Sequence, residues 1–271
     1  MTNVRDQFIQ AVRDDNFSLA HVALLIAAEE YPQLDPAPYL HRIELLSERV
    51  KDRLADESAP PVLLSEISKV LFEEEGFKGN AEAYYDPRNS YLNDVLDRHL
   101  GIPITLSIIY LEVGWKLGLP LEGVNFPGHF LVRYQGEALR LLVDPFQDGM
   151  IRFEDEAQDL LDRVYGGTVK LQSEYLRGAD KRDVLVRLLS NLKTIHLNTR
   201  DDERALASAE RILILRPDSA EDVRDRGMLL ARRGRVAEAV AELEHYLDVL
   251  PAAPDAQRIR MLLAELNKES R

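Results

Sequence analysis

The sequence contains no cysteine, which excludes disulfides, thiolate metal sites and a cysteine nucleophile together. Long apolar runs are missing as well. The longest uncharged stretches, Asn16 to Ala28 and Leu100 to Leu111, fall short of the roughly 18–20 residues that a membrane-spanning helix takes, so both are expected as core helices. The opening Met1-Thr2-Asn3-Val4-Arg5-Asp6 lacks the basic stretch, apolar segment and small-residue cleavage site of a secretory leader, and the expectation is a cytoplasmic protein with no membrane contact. Six histidines (21, 41, 99, 129, 196 and 245) are scattered without His-x-x-x-His or His-Glu-x-x-His spacing. No glycine-rich phosphate loop accompanies them, and no metal or cofactor is expected.

Positive charge is in deficit too. With 34 Lys/Arg against 47 Asp/Glu the net charge is −13, which argues against an extended nucleic-acid surface, because neutralising phosphates takes clustered cations. The deficit is uneven: residues 181–235 carry 13 Lys/Arg and 9 Asp/Glu, a balance of +4. Different partners for the two parts of the chain are therefore expected.

What is present is helical at first. Val4, Phe8, Ile9 and Val12 share one face, Ser18 is placed to cap a helix through Leu19, Val22 and Leu25, and Tyr39, Ile43, Leu46 and Val50 form a third. Pro60-Pro61 opens a segment ending near Gly76, and Leu92 to Leu100 makes a short helix stopping at Gly101. Pro103 to Leu117 is apolar nearly all round and so predicts a buried helix, with Pro103 suited to its first turn and Gly118 to the left-handed residue beyond it. Three runs rich in β-formers follow, 123–126, 129–134 and 139–144, separated by Pro127-Gly128 and Gln135-Gly136, which predicts an antiparallel meander. Glu154 to Val164 returns to a helix.

The tail repeats with a period of 34: Ala205 recurs as Ala239, Leu213 as Leu247 and Pro217 as Pro251. That is the period of the tetratricopeptide repeat, a helix-turn-helix whose small residues let paired helices approach closely. Repeats are expected at about 184–217 and 218–251, with a capping helix at about 255–267.

Four segments between Tyr84 and Phe146 carry a resemblance: Tyr84-Tyr85-Asp86-Pro87-Arg88-Asn89-Ser90, Gly101-Ile102-Pro103-Ile104-Thr105-Leu106-Ser107, Asn125-Phe126-Pro127-Gly128-His129-Phe130 and Val143-Asp144-Pro145-Phe146. Together with Val223-Arg224-Asp225-Arg226-Gly227, the sequence resembles the bacterial SirB family. The resemblance implies an α+β fold: a helical N-terminal region with a papain/transglutaminase-like core, its central helix buried on a small antiparallel sheet, followed by an all-α tetratricopeptide-repeat domain. The expected domains are 1–178 (helical to about 100, core about 101–165) and 179–271. It further implies a Cys at the start of the buried helix, where the helix dipole favours a thiolate, and a His and an Asp on the adjacent strands. His129 and Asp144 fall on the latter two positions. The Cys position falls at Gly101-x-Pro103, where proline supplies neither nucleophile nor N–H, a departure the SirB family shares.

Three readings follow for the function, the third being that the repeats alone act and the first domain is their scaffold. In the first the chain is a non-catalytic, pseudoenzyme-like adaptor that binds a protein or peptide, and the repeats recruit a second partner. In the second it is a cryptic amide hydrolase or acyltransferase, with Ser107 or Thr105 attacking under His129 and Asp144. His129 itself reads either as an anchor to Asp144 between two strands or as part of a ligand cleft with Asn125. The Asp86, Arg88, Asn89 segment reads either as a helix entry capped by Asn89 or Ser90 or as a polar cleft rim. Lys193, Arg224 and Arg226, with Arg182 and Arg187, read either as a groove for an acidic peptide or as a face neutralised by neighbouring carboxylates.

Overall fold

Alternation of apolar clusters with caps builds the first part of the chain from helices. α1 (Val4–Ala11) starts at Asn3, α2 (Leu19–Ala27) at Ser18 and α3 (Pro36–Lys51) at Asp35, each cap's side chain accepting a backbone N–H of the first turn. The computed structural model describes residues 3–54, 59–136 and 139–269; Met1 and Thr2, the first residues of the segment expected to lack a secretory leader, lie outside them. α4 (Pro60–Ser68) runs on as a π-helical turn, Lys69–Glu74, which turns Val70, Leu71 and Phe72 inward. Strand β1 (Lys78–Gly79), a 3₁₀ turn (Pro87–Asn89) and α5 (Leu92–Arg98) follow, and β2 (Leu100–Gly101) pairs in parallel with β1.

α6 (Pro103–Lys116) is the centre of the first unit, with every residue from Pro103 to Gly114 buried. Pro103 occupies its first position and Gly118, at φ +76°, follows its end. Its one acidic residue does structural work: buried Glu112 Oε1 accepts the Ala20 N–H at 2.7 Å and the Ser18 hydroxyl at 3.2 Å. That places a carboxylate on the N-terminus of α2, where the helix dipole favours it.

The sheet is an antiparallel meander of β3 (Leu121–Val124), β4 (Leu131–Gln135), β5 (Arg140–Asp144) and β6 (Met150–Phe153), with β7 (Gly178–Ala179) on the outer edge of β3. Registers are Val124 with Leu131, Val132 with Val143, and Val143 with Ile151. β6 and β7 go beyond the three runs expected. The apolar layer of Val124, Phe126, Leu131, Leu142, Leu160 and Leu161 joins the sheet to α7 (Ala157–Tyr165).

The described chain divides into two compact units, Met1–Leu188 and Leu189–Arg271, and the division lies inside α8 (Lys181–Asn198). The second unit continues with α9 (Asp202–Leu215), α10 (Ala220–Arg232), α11 (Val236–Val249) and α12 (Ala256–Glu269). Its core collects the residues that repeat in the sequence: Ala205 and Ala239 are fully buried, beside Leu230, Leu243, Tyr246 and Ile259. α10 and α11 approach closely at Gly227, where an added Cβ would lie 2.9 Å from Leu243 Cγ and 3.0 Å from Glu242 Cβ. Gly227→Val is therefore expected to destabilise the second unit by about 2 kcal/mol through overpacking. Gly227→Ala should cost less, since alanine regains about 1 kcal/mol of helix propensity. Thermal unfolding followed by circular dichroism at 222 nm checks this, and an undiminished Tm in the valine variant contradicts the close approach.

Candidate functional site

The site is built at the N-terminal end of α6, where β2, the sheet and the turn after β5 converge. Pro103 opens the helix, so the position that the resemblance assigns to a thiol holds a saturated ring. Thr105, two residues on, is fully buried and committed: its hydroxyl donates to Asn89 O at 2.8 Å and accepts the Ile102 N–H at 3.1 Å. Ser107 is also fully buried, and its Oγ makes no hydrogen bond. Neither hydroxyl is hydrogen-bonded to the imidazole.

His129 and Asp144 are brought together. His129 Nε2 lies 2.8 Å from Asp144 Oδ1, with the imidazole 12% exposed and the carboxylate fully buried. The same Oδ1 accepts the Phe146 N–H at 3.1 Å, which caps the 3₁₀ turn Pro145–Gln147, while Oδ2 is buried without a partner. His129 itself is not on a strand, against the expectation from sequence. Its N–H bonds to Phe126 O at 3.0 Å and closes a turn, so the β3–β4 ladder begins only at Leu131. Nε2 is occupied by the carboxylate, and Nδ1 is the ring nitrogen left for a ligand. The Phe146 ring stands edge-on to His129 at 6.0 Å, and Tyr84 edge-on to Phe146 at 6.1 Å.

The segment from Tyr84 to Ser90 is held from within. Asp86, rather than Asn89 or Ser90, supplies the cap: its Oδ1 accepts the Arg88 N–H at 3.0 Å at the head of the Pro87–Asn89 turn. Asn89 faces inward, donating to Ala83 O at 2.7 Å and accepting from Asn80 Nδ2 at 3.1 Å, while α5 starts at Tyr91 with no side-chain cap. Asp86 also pairs with Arg88 at 2.7 Å and with Arg98 at 3.7 Å. The Arg88 hydrogen bond holds the Asp86 carboxyl below the usual range, against its partial burial.

Cations expected to line a repeat groove divide between the units. Arg182 belongs to the first, donating to Val12 O at 2.6 Å and pairing with Asp15, and Arg187 does too, donating from Nη1 to Asn125 Oδ1 at 2.8 Å. In the second unit Lys193 Nζ lies 3.0 Å from Asp222 and 2.7 Å from Asp225. Arg224 meets Asp225 at 2.7 Å and Asp255 at 2.9 Å, and Arg226 pairs with Glu242. Arg182, Lys193, Arg224 and Arg226 thus each face a carboxylate, whereas Arg187 faces the amide oxygen of Asn125. Sequence spacing shows the cations, but pairing of Lys193 across to α10 depends on how the helices stack. Among the described residues no group of three or more His, Asp or Glu is placed to hold a metal, and no described helix is long and apolar enough to cross a membrane.

Comparison with known proteins agrees with this geometry. The transglutaminase-like superfamily matches residues 37–190, and the tetratricopeptide repeat matches residues 192–264. A UPF0162 protein of Xylella fastidiosa is 38% identical over 96% of this chain and 94% of its own length. A second, from Pseudomonas aeruginosa, is 33% identical over 76% of this chain and 74% of its own length. The mouse protein named F-box only protein 21 is 37% identical over 49% of this chain and 22% of its own length. With more than half of its length matched to the superfamily, with near full-length similarity to the Xylella fastidiosa relative, and with its second part matched by the tetratricopeptide repeat, the chain belongs to the transglutaminase-like superfamily, among the UPF0162 proteins.

Proposed function

We propose that the chain is a non-catalytic adaptor of the SirB type: the transglutaminase-like domain binds a protein or peptide segment beside His129, and the repeats recruit a second protein. One observation carries the reading. The His129–Asp144 pair persists at 2.8 Å next to a helix whose first residue is Pro103 and whose Thr105 hydroxyl proton is given to Asn89 O. General-base catalysis takes a nucleophile within about 3 Å of the imidazole, and none is hydrogen-bonded there. A fold that loses its nucleophile while keeping the surrounding polar groups retains the means to orient a ligand.

The unpartnered Ser107 hydroxyl favours one rival, a cryptic amide hydrolase or acyltransferase. The two readings separate in a single assay series on the purified full chain, using a fluorophosphonate probe for reactive hydroxyls and a casein plus fluorescent amine assay for acyl transfer. No labelling and no turnover is the expected outcome. Labelling that disappears in both Ser107→Ala and His129→Ala establishes the enzyme and overturns the adaptor reading.

A further inference from the structure

Most well-placed guanidinium groups of this chain meet a carboxylate, among them Arg88, Arg133, Arg182, Arg224 and Arg226. Arg187 meets none among the described residues, and its one hydrogen bond goes to the neutral amide oxygen of Asn125. Burial pulls its pKa below the usual arginine range, and the ionisable groups acting on it are the phenols of Tyr84 and Tyr165 rather than carboxylates. A cation partly withdrawn from water without a counter-charge is costly to the fold.

The same residues border the His129 site. Asn125 lies four positions before His129 in the β3–β4 turn. A Cβ on Gly128 would sit 3.3 Å from the Tyr165 hydroxyl, so that hydroxyl lies against the residue preceding His129. From the other side Tyr84 reaches His129 through the edge-on Phe146 ring. Asn125 and Gly128 are exposed, and His129 and Arg187 are partly so.

We infer that Arg187, held by Asn125 in the turn that leads to His129, receives a carboxylate of the peptide segment bound beside His129. The inference rests on the binding reading above and names the ligand chemistry for it. Nη1 is spent on Asn125, which fixes the guanidinium plane and leaves the Nε–Nη2 edge, two parallel donors that match the two oxygens of a carboxylate. A single cation among neutral neighbours balances a monoanion; a phosphate dianion calls for a second cation.

The test uses the ¹⁵N-labelled full chain and reads the Arg187 Nε–H resonance, assigned by its loss in Arg187→Gln, together with the Gly128 amide. Four probes are titrated: an N-acetyl tripeptide pool with free C-termini, the same pool amidated and lacking Asp and Glu, an amidated pool with one fixed Glu, and inorganic phosphate. A carboxylate-bearing pool is expected to shift both resonances saturably, with apparent affinity at least about tenfold weaker in Arg187→Gln, since the substitution removes a charge-assisted, two-donor contact. Response to free C-termini alone assigns a main-chain carboxylate and response to the fixed-Glu pool alone a side chain; either supports the inference. Equal binding of the amidated acid-free pool, or a response to phosphate only, overturns the carboxylate assignment and leaves the binding reading in place. Silence from every probe overturns both. Should Arg187→Gln fail to fold, Asn125→Ala, at an exposed turn position, must weaken the carboxylate pool by a comparable factor.

Discussion

His129→Ala is expected to destabilise the first unit by about 1–3 kcal/mol, the range found when a buried hydrogen-bonded acceptor is left without its donor. The burden falls on Asp144, whose carboxylate is fully buried and whose Oδ2 already lacks a partner. Without the imidazole, that group keeps only the Phe146 N–H on Oδ1. Asp144→Ala leaves two donors, His129 Nε2 and the Phe146 N–H, without their acceptor, at about 1–3 kcal/mol each where water cannot reach them. The double variant removes the orphaned charge and the orphaned ring donor together. Its cost is therefore expected to fall short of the sum of the single costs by at least about 1 kcal/mol. Urea titration followed through Trp115, the single tryptophan of the chain, half-buried in α6 and donating to Leu121 O, reports on this unit. Strict additivity would mean that the two side chains do not act as a pair in solution, and the site would lose its one fixed element.

This dual dependence explains why so much of the core was legible and so little of the site. α6 announced itself because Ile104, Leu106, Ile108, Ile109, Leu111 and Val113 leave no polar stripe, and Pro103 and Gly118 bracket it with local backbone preferences. The repeat was legible for the same reason: Ala205, Ala239 and Gly227 are small because helices touch there, and contact recurs every 34 residues. Where the outcome depended on distant partners, local pattern fell short. β7 is two residues long and exists only as an edge partner for Gly123 and Val124. His129 sits among residues with β propensity, yet the bond from its N–H to Phe126 O holds it in a turn. Asn89 has the composition of a helix cap, but the Ala83 carbonyl and Asn80 draw its amide inward and leave capping to Asp86. Arg187 is separated from Asn125 by 62 positions, and nothing in the local sequence distinguishes it from Arg182.

Lys193→Met is expected to be the most damaging single change in the second unit, about 3–5 kcal/mol. Lys193 is only 8% exposed, and its Nζ bridges Asp222 and Asp225, both less than a quarter exposed. Asp225 is shared with Arg224, which reaches Asp255, and Asp255 accepts the Tyr246 hydroxyl at 2.5 Å. The network thus runs from α8 through α10 to the turn before α12, and Lys193 is its terminal cation. Burial by itself disfavours the ammonium, but hydrogen bonds and attraction from Asp225 and then Asp222 outweigh it, so the folded-state pKa lies above the ordinary lysine value. A group raised on folding stabilises fully below its unfolded pKa, about 10.4 for lysine, and that contribution is lost as pH rises through the higher folded value. The wild type is accordingly expected to lose stability on the alkaline side above about pH 10.4, and Lys193→Met to show a flatter profile there. At neutral pH the transition of the second unit, read at 222 nm, is expected to fall by roughly 12–40 °C, from the usual 4–8 °C per kcal/mol for a unit of this size. Adding Asp225→Asn to Lys193→Met should recover part of that loss by removing a carboxylate left without its cation. An unchanged Tm in the single variant would mean that solvent screens these charges, and the cations would again be free to meet an acidic partner.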